Sequence, residues 1–219
     1  MSDRDLWLAI AIRGKDGGLC LFGAELAEAG LEGANFFQGD LRLANLTGAS
    51  LSRAFFSKAD LRWAKLIGAN LETANLSKAN LSYADLGKAL LSDVYGIFAN
   101  FTAAQMKGTV LEGGDFSGGT FHRAKLEDVN AAGVLMPQAD LRFADLEGSA
   151  FNNAELPYSK WFGAKLRNVD LSWANLGGAD LRGADLEGVN VEQAILEGAT
   201  ISSRWENSLS NFEGSQIGA

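Results

Sequence analysis

From Leu21 to Ile201, every fifth residue of this 219-residue chain falls on the same apolar position, and the frame does not slip once. Of these 37 positions, 35 carry Leu, Phe, Met, Trp, Val or Ile, and the exceptions are Gly96 and Ala131. Two residues earlier the side chain is small, and 25 of these 36 sites hold Ala. A helix returns to the same face after three, four or seven residues and a strand after two, so neither element produces a period of five.

A period of five describes a chain that turns a corner every five residues, with one large and one small side chain pointing inward. Such a chain is a solenoid, because each unit can bury its apolar face only against its neighbours. The tripeptides Ala59-Asp60-Leu61, Ala69-Asn70-Leu71 and Ala184-Asp185-Leu186 all lie in this frame. On these motifs the chain resembles the pentapeptide-repeat proteins over about four fifths of its length.

The resemblance implies an all-β fold, a right-handed quadrilateral parallel β-helix with four pentapeptides per coil. The central Leu or Phe and the preceding Ala would point inward, and the other three residues outward. The tripeptide Asp-Leu-Arg supports this coil length independently, because it begins at residues 40, 60, 140 and 180, which differ by multiples of 20. Residues 22–201 then form about nine coils, a rod roughly 40 to 45 Å long at the ~4.8 Å spacing of paired strands.

One domain with two capped ends is expected. The composition shows no shift that would mark a second domain, with 47% hydrophobic residues, 26 Gly and only 2 Pro. Bare ends would expose unpaired strand edges and an open core. We therefore expect a short capping helix in residues 1–15, the β-helix over residues 16–203 and an irregular cap over residues 204–219. A two-fold dimer through the C-terminal end is the alternative, so the chain is expected to be a monomer or a homodimer.

The compartment is predicted from two features. The apolar run Leu6–Ile12 is too short to span a membrane and follows acidic residues rather than a basic segment. The single cysteine, Cys20, allows no internal disulfide, which fits a reducing environment. We therefore expect a cytoplasmic protein that does not bind a membrane.

No catalytic or cofactor site is predicted. The single histidine, His122, is expected on the outer surface beside Arg123, as a solvated side chain with no cleft to orient a catalytic arrangement. One His and one Cys about 100 residues apart do not make a metal site, and no phosphate-binding loop of the type Gly-x-x-x-x-Gly-Lys-Ser/Thr occurs. Asp and Asn before the central residue belong to the turns of this family. We expect no enzyme, no cofactor and no metal.

One outward face combines a column of arginines and His122 with a column of apolar residues. Exposed aromatic and arginine side chains have the composition of protein-interface hot spots, and they bind by stacking, cation–π contacts and salt bridges. The predicted partner-binding residues are Arg42, Leu43, Arg62, Trp63, Tyr83, Arg142 and Phe143, and Arg182 extends the arginine column. The alternative is that neighbouring coils stack on one another here and that Asp–Arg pairs solvate the face.

A second cluster of apolar residues is predicted to be exposed, one residue before the core position. Its members again differ by multiples of 20 and are Phe55, Tyr95, Leu135 and Ile195. The core positions nearby are irregular at Gly96 and Ala131, and a small core residue leaves a void unless a neighbour fills it. We expect Ile97 or Phe98 to turn inward there with a local bulge. Both a recognition feature and a tolerated irregularity are open, and the irregularity is favoured.

The acidic residues give an alternative function. The net charge is −8, and residues 101–219 hold 16 acidic against 9 basic residues. The resemblance includes the pentapeptide-repeat proteins of fluoroquinolone resistance, acidic rods that mimic duplex DNA and bind DNA gyrase or topoisomerase IV. The corresponding acidic face would be Glu127, Asp145, Glu147, Asp185 and Glu187. Duplex DNA carries about one charge per 1.7 Å, a much higher density, and Lys125, Lys165 and Arg167 interrupt this face.

Taken together, the sequence predicts a non-catalytic protein-binding rod, a scaffold or regulator that recognises an unidentified protein through its outer faces. The alternative is a DNA mimic that binds DNA gyrase or topoisomerase IV. Direct binding of nucleic acid is not expected, since attraction to phosphates needs a basic surface.

Overall fold

The computed structural model describes residues 19–202, and the frame of five is unbroken within them. The capping helix expected in residues 1–15 and the cap expected over residues 204–219 lie outside the described residues. In the described part there is no regular helix and no strand of several residues. Instead, every fifth residue from Cys20 onward pairs in parallel with the residue 20 positions ahead, ending with Asp180 and Thr200. No helix of the described part is long and apolar enough to cross a bilayer.

Nine coils of 20 residues follow one another. Coil n runs from residue 20n to residue 20n+19, so coil 1 is residues 20–39 and coil 9 is residues 180–199. Each coil has four faces of five residues, and face 1 begins with the first residue of the coil. In chain order the five residues of a face occupy the bridge, core, first turn, second turn and small positions. The predicted coil length and number of coils are confirmed.

The backbone amides of each pentapeptide are satisfied by one repeated rule. The bridge amide donates to the preceding coil, the core and second turn amides donate to the following coil, and the small amide closes a turn onto its own core carbonyl. In residues 40–44 these bonds join Asp40 to Leu19, Leu41 to Asp60, Leu43 to Arg62 and Ala44 to Leu41, at 2.8, 2.8, 3.1 and 3.1 Å. Because two of the five residues form a turn, the pairing between coils stays limited to single bridges.

The first turn amide finds its acceptor in a side chain. At sixteen bridge positions an Asn or Asp Oδ1 accepts a hydrogen bond from the backbone N–H two residues later, as Asp40 does from Arg42 at 3.2 Å. These side chains are therefore turn residues, as the sequence predicted. Pro137 and Pro157 occupy this same position in neighbouring coils of face 4, where the backbone ladder uses no donor.

The second turn residue always adopts a left-handed backbone conformation. All 36 of these residues have positive φ, as at the third residue of a type II turn. Glycine occupies 14 of them, and the other 22 carry a side chain, including Trp63 and Tyr83 at φ of 58° and 63°. A residue with a side chain is less stable than glycine in this region. The side chain at this position points outward, and because glycine forms the same turn, the turn does not require a side chain there.

The void expected at Gly96 is filled by Phe116, the core residue of the next coil on the same face. A Cβ at Gly96 would lie 2.5 Å from Cδ1 of Phe116, so the ring occupies the space of a core side chain. Phe98 stays exposed, Ile97 stays half-buried, and Tyr95 pairs in register with both neighbouring coils. The prediction that Ile97 or Phe98 turns inward with a bulge is therefore wrong. Ala131 is fully buried and keeps the frame as well.

Three phenylalanines replace the usual leucines in the middle of the rod. Phe101 and Phe121 stack with ring centroids 4.8 Å apart, and Phe116 meets them edge-on at 5.8 and 5.9 Å. Larger rings need smaller neighbours, and Gly114 supplies one at the small position, because a Cβ there would lie 2.6 Å from Phe116 Cε2. The core volume is therefore conserved by pairs of residues rather than at each position.

Candidate protein-binding faces

Exposed large apolar side chains are concentrated on two adjacent faces of the rod. Face 2 has one and face 3 has two, whereas faces 1 and 4 have six and seven. Those of face 1 are Phe22, Leu43, Trp63, Tyr83, Phe143 and Phe162, and those of face 4 are Phe37, Phe55, Tyr95, Phe98, Leu135, Tyr158 and Ile195. Both faces are candidates for protein recognition, since contiguous exposed apolar surface marks interaction sites.

The apolar column predicted on face 1 is exposed. Leu43, Trp63, Tyr83 and Phe143 keep 53%, 47%, 53% and 48% of their surface accessible. Trp63 and Tyr83 stack with ring centroids 5.4 Å apart, and Phe143 meets Phe162, another exposed ring of face 1, edge-on at 5.7 Å. The column therefore forms two blocks, in coils 2–4 and in coils 7–8. Sequence analysis missed Phe22 and Phe162, which occupy the first rather than the second turn position.

The arginine column of face 1 is neutralised by its own aspartates. Each arginine is ion-paired with the carboxylate two residues earlier, whose Oδ1 also accepts from the backbone amide of that arginine. The pairs are Arg42–Asp40 at 2.7 Å, Arg62–Asp60 and Arg142–Asp140 at 2.6 Å, and Arg182–Asp180 at 2.8 Å. These four pairs present guanidinium planes without net charge, and the Asp–Arg pairing predicted as the alternative is present. Arg123 and Lys160 leave face 1 as a whole with four acidic against six basic residues.

Cation–π contacts join the two columns. The guanidinium carbon of Arg62 lies 5.7 Å from the Trp63 ring centroid, and that of Arg42 lies 5.3 Å from the Phe22 ring. Such contacts hold the planar groups in place beside the rings. These contacts restrict the side chains of face 1 before binding, which lowers the conformational entropy that binding would cost.

The ion pairs shift the pKa values of the aspartates. The hydrogen bond from Arg182 lowers the pKa of Asp180 to about 2, and the bond from Arg42 lowers that of Asp40. Burial raises the pKa of Asp140, but the hydrogen bonds from Arg142 outweigh this effect and the net shift is downward. A carboxyl group with a lowered pKa in the folded state stabilises the fold above its unfolded pKa of about 3.9.

We expect the free energy of unfolding to fall as the pH drops from about 4 to 2, the window between the unfolded pKa and the value for Asp180. In Asp180→Asn the amide oxygen still accepts from the Arg182 backbone but carries no charge, so this fall should be smaller. Urea unfolding at several pH values measures how the free energy of unfolding depends on pH in the wild type and in the variant. An equal dependence on pH in the two proteins would contradict the ion pair assigned to Asp180 and Arg182.

The five predicted acidic residues lie on face 2, where lysines and an arginine neutralise some of them. Oδ2 of Asp145 accepts from Lys125 at 3.2 Å and from Lys165 at 2.9 Å, in the coils before and after. Burial raises the pKa of Asp145, but the bonds from Lys165 and Lys125 outweigh it and lower the pKa. Arg167 pairs with Asp185 at 2.6 Å and lies 3.6 Å from Glu187.

The acidic face is therefore interrupted along its length. Asp145 is about 10% exposed at its side chain, so it presents little charge to a partner. Of the five predicted acidic residues, Glu127 and Glu147 have no ion-pair partner within the described part of the chain. A regular row of charges like that of a DNA strand is not present.

Face 4 is the most apolar and the least charged of the four. Its charged residues are Lys58, Lys78, Asp115, Glu155 and Glu197, against ten on face 1, fifteen on face 2 and seven on face 3 within residues 19–202. The predicted exposure of Phe55, Tyr95, Leu135 and Ile195 is confirmed. Sequence analysis missed the exposed rings at turn positions, namely Phe37, Phe98 and Tyr158. Two of these lie flat, Phe98 over Gly118 and Tyr158 over Gly178 of the following coil.

No set of three or more His, Cys, Asp or Glu within residues 19–202 is placed to hold a metal ion. His122 is half-buried rather than solvated, because its ring lies edge-on against Phe143 at 5.6 Å, and its Nδ1 is shielded without a hydrogen-bond partner among these residues. Cys20 is a half-buried free thiol.

Comparisons with known proteins agree with this architecture. A family model for pentapeptide repeats matches eight copies, over residues 24–62, 56–93, 97–130, 120–156 and 164–202. A trypsin-treated variant of QnrB1, a plasmid-mediated fluoroquinolone resistance protein, has a TM-score of 0.68 at 18% identity, covering 92% of this chain and 100% of that chain. Full-length QnrB1 has a TM-score of 0.53 at 15% identity, covering 87% and 95%.

A third solved structure is HetL, a pentapeptide repeat protein involved in heterocyst differentiation regulation from the cyanobacterium Nostoc sp. strain PCC 7120. It is 28% identical over 93% of this chain and 97% of that chain, with a TM-score of 0.40. No curated protein is similar enough to count as a match. At the low identity of QnrB1 the likeness shows the fold alone, a right-handed quadrilateral β-helix.

Proposed function

The chain belongs to the pentapeptide-repeat family, and from this premise we propose that it is a non-catalytic rod that binds a protein partner through face 1, as a scaffold or regulator. The partner-binding residues are Arg42, Leu43, Arg62, Trp63, Tyr83, Arg142 and Phe143. The structure adds Phe22 and Phe162 to this surface, because they contact the same columns.

The observation that carries this proposal is the place of the aromatic side chains. Trp63 and Tyr83 occupy second turn positions with positive φ, where glycine is the more stable residue and occurs in 14 turns of this chain. The core closes without them, since they point outward. Stacking between neighbouring rings returns only about 0.5–1.5 kcal/mol per pair. A binding function explains why large rings occupy positions that neither the turn nor the core requires.

The chemistry of face 1 favours an apolar partner surface. Four of its five arginines are already ion-paired with aspartates, so a partner would gain little from net charge at these positions. Its binding energy would come from buried rings and from stacking on the guanidinium planes. We therefore expect the affinity for the partner to depend weakly on salt, because ionic strength screens mainly unpaired exposed charges.

Affinity capture from the source cell's lysate, analysed by mass spectrometry, tests the proposal. Trp63→Glu and Phe143→Glu should each leave the fold intact and abolish capture of the partner. Trp173→Glu is the matched control, because Trp173 is 60% exposed at the same turn position with a φ of 62°, but lies on face 3. Capture that survives both face 1 substitutions would mean that this face is only a stacked surface.

The same experiment addresses the alternative, a DNA mimic that binds DNA gyrase or topoisomerase IV. This alternative predicts recovery of topoisomerase subunits by wild type and by Trp63→Glu alike. It further predicts salt-sensitive inhibition of gyrase supercoiling that weakens when Asp145, Glu147, Asp185 and Glu187 are neutralised. The ion pairs of Asp145 and Asp185 weigh against it, since neutralised carboxylates attract a DNA-binding surface less.

A further inference from the structure

We propose that face 4 binds a second copy of the same chain, with the two rods antiparallel. Face 4 has more exposed large apolar side chains than any other face and fewer charged residues. Depletion of charge around aromatic residues is the composition of an interface centre. This surface is distinct from face 1, so the proposal does not depend on the partner proposed above.

The charges of face 4 are separated along the rod. Lys58 and Lys78 lie in coils 2 and 3, whereas Asp115, Glu155 and Glu197 lie in coils 5, 7 and 9. Two parallel copies would place lysines opposite lysines, and two antiparallel copies place the basic half of one against the acidic half of the other. Opposite charges across an interface fix the orientation of the partners. The charge distribution therefore favours the antiparallel arrangement.

The positions of Lys78 and Glu155 fit a two-fold axis at coil 5, which also sets Asp115 of the two copies at the same level. When the nine coils overlap fully, coil 3 of one copy faces coil 7 of the other, which brings Lys78 to the level of Glu155. Both side chains are exposed, and neither has an ion-pair partner among residues 19–202. A two-fold interface requires such self-complementarity, because the same patch serves both copies. A foreign partner would impose no relation between the two halves of the face.

The apolar residues fit the same overlap. Coil 4, with Tyr95 and Phe98, faces coil 6, with Leu135. Coil 2, with Phe55, faces coil 8, where the ring of Tyr158 packs over Gly178. The central coil carries Ser117 and Gly118 at the turn of this face, and the ring of Phe98 packs over Gly118. Apolar residues thus meet apolar residues at these two pairs of coils.

The area is sufficient for a specific dimer. The seven exposed apolar side chains of face 4 are on average about half exposed. A fully exposed aromatic side chain presents roughly 200 Å², so together they present on the order of 700 Å² per copy. A standard interface buries about 800 Å² per partner, and the polar residues of the face supply the remainder.

The mass of the full chain in solution tests this proposal. Light scattering or sedimentation from about 1 to 200 µM should give twice the 23.2 kDa of one chain. Lys78→Glu and Glu155→Lys should each weaken the dimer at least about tenfold, and the two changes together should restore it. Lys88→Glu is the matched control, because Lys88 is exposed at the same turn position on face 2. Circular dichroism verifies that each variant is folded.

Substitution of a central ring separates the possible outcomes. Phe98→Glu should abolish the dimer, whereas Trp63→Glu on face 1 should leave it intact, so failure of the dimer and failure of the proposed partner binding are distinguishable. A wild-type chain that is monomeric over the whole range would overturn the proposal. So would a dimer that neither Lys78→Glu nor Phe98→Glu weakens, because that dimer would form through another surface.

Discussion

Gly96→Leu is expected to lower the free energy of unfolding, although leucine is the commonest residue at the core positions of this chain. A Cβ at residue 96 would lie 2.5 Å from Cδ1 and 2.8 Å from Cε1 of Phe116, which leaves no room for a larger side chain. Forcing extra groups into a packed core costs about 1–3 kcal/mol. The backbone of Gly96 is not the obstacle, because its φ lies outside the positive range that favours glycine.

Removal of the ring should have a larger effect. Phe116→Ala is expected to cost about 3–5 kcal/mol, because the fully buried ring fills the space beside Gly96 and Gly114 and contacts Phe101 and Phe121. Adding Phe116→Leu to Gly96→Leu should recover most of the loss, since it removes the overlap. Urea unfolding of the single and double variants gives the interaction energy, expected to be about 0.5–3 kcal/mol. Additive losses would show that the two positions do not share one space.

The frame of the fold could be predicted from sequence because each pentapeptide repeats the same local rule. A core leucine, a small alanine and an Asn or Asp for the turn recur every five residues, and the Asp-Leu-Arg motifs fix the coil length. The filling of Gly96 follows no local rule. It depends on Phe116, the equivalent residue of the next coil. The prediction was wrong because it considered only Ile97 and Phe98, which are close in sequence. A glycine at a core position with a phenylalanine 20 residues later is the signal that was present.

The candidate faces were predictable in part, because the position of a residue in the repeat decides whether its side chain points outward. The exposed rings of face 1 follow from position alone, as Trp63 shows. Their electrostatics follow only as one of two alternatives, because Asp60 compensates the charge of Arg62 only if the guanidinium turns back to it. The interruption of face 2 was predictable as well, since Lys125 and Lys165 lie 20 residues on either side of Asp145 and both donate to it. Once the coil length is known, pairs 20 residues apart are contacts and can be included.

The four faces of the rod differ in chemistry because the residues at outward positions are free to vary. Inward residues are constrained by packing, whereas each outward column can change its chemistry without disturbing the coil. Apolar residues are concentrated on faces 1 and 4, which adjoin each other, and faces 2 and 3 are polar. A chain that uses face 4 for its own second copy would still leave face 1 accessible at the edge of the pair. The two proposed interactions are therefore compatible.

Trp161→Ala should have an effect as large as Phe116→Ala, at about 3–5 kcal/mol. Trp161 is the largest fully buried side chain described, and its ring meets Phe151 edge-on at 6.1 Å. Its Nε1–H donates to Ser159 Oγ at 2.6 Å. Serine replaces the usual alanine at that small position because a buried indole N–H needs an acceptor. The substitution removes the ring and leaves this hydroxyl with fewer partners.

The loss of stability caused by Trp161→Ala should be greatest near the C-terminal end of the rod. Coils of a solenoid contact only their neighbours, so weakening coil 8 lets coils 8 and 9 open while coils 2–4 remain paired. Amide hydrogen exchange measures this, with faster exchange in residues 160–199 and little change in residues 40–99. Trp173→Ala is the control in the same coil, because this tryptophan is 60% exposed and its loss should cost less than about 0.5 kcal/mol. Equal losses of unfolding free energy for Trp161→Ala and Trp173→Ala would contradict an effect that depends on burial. Uniformly faster exchange along the rod would contradict an effect that passes only between neighbouring coils.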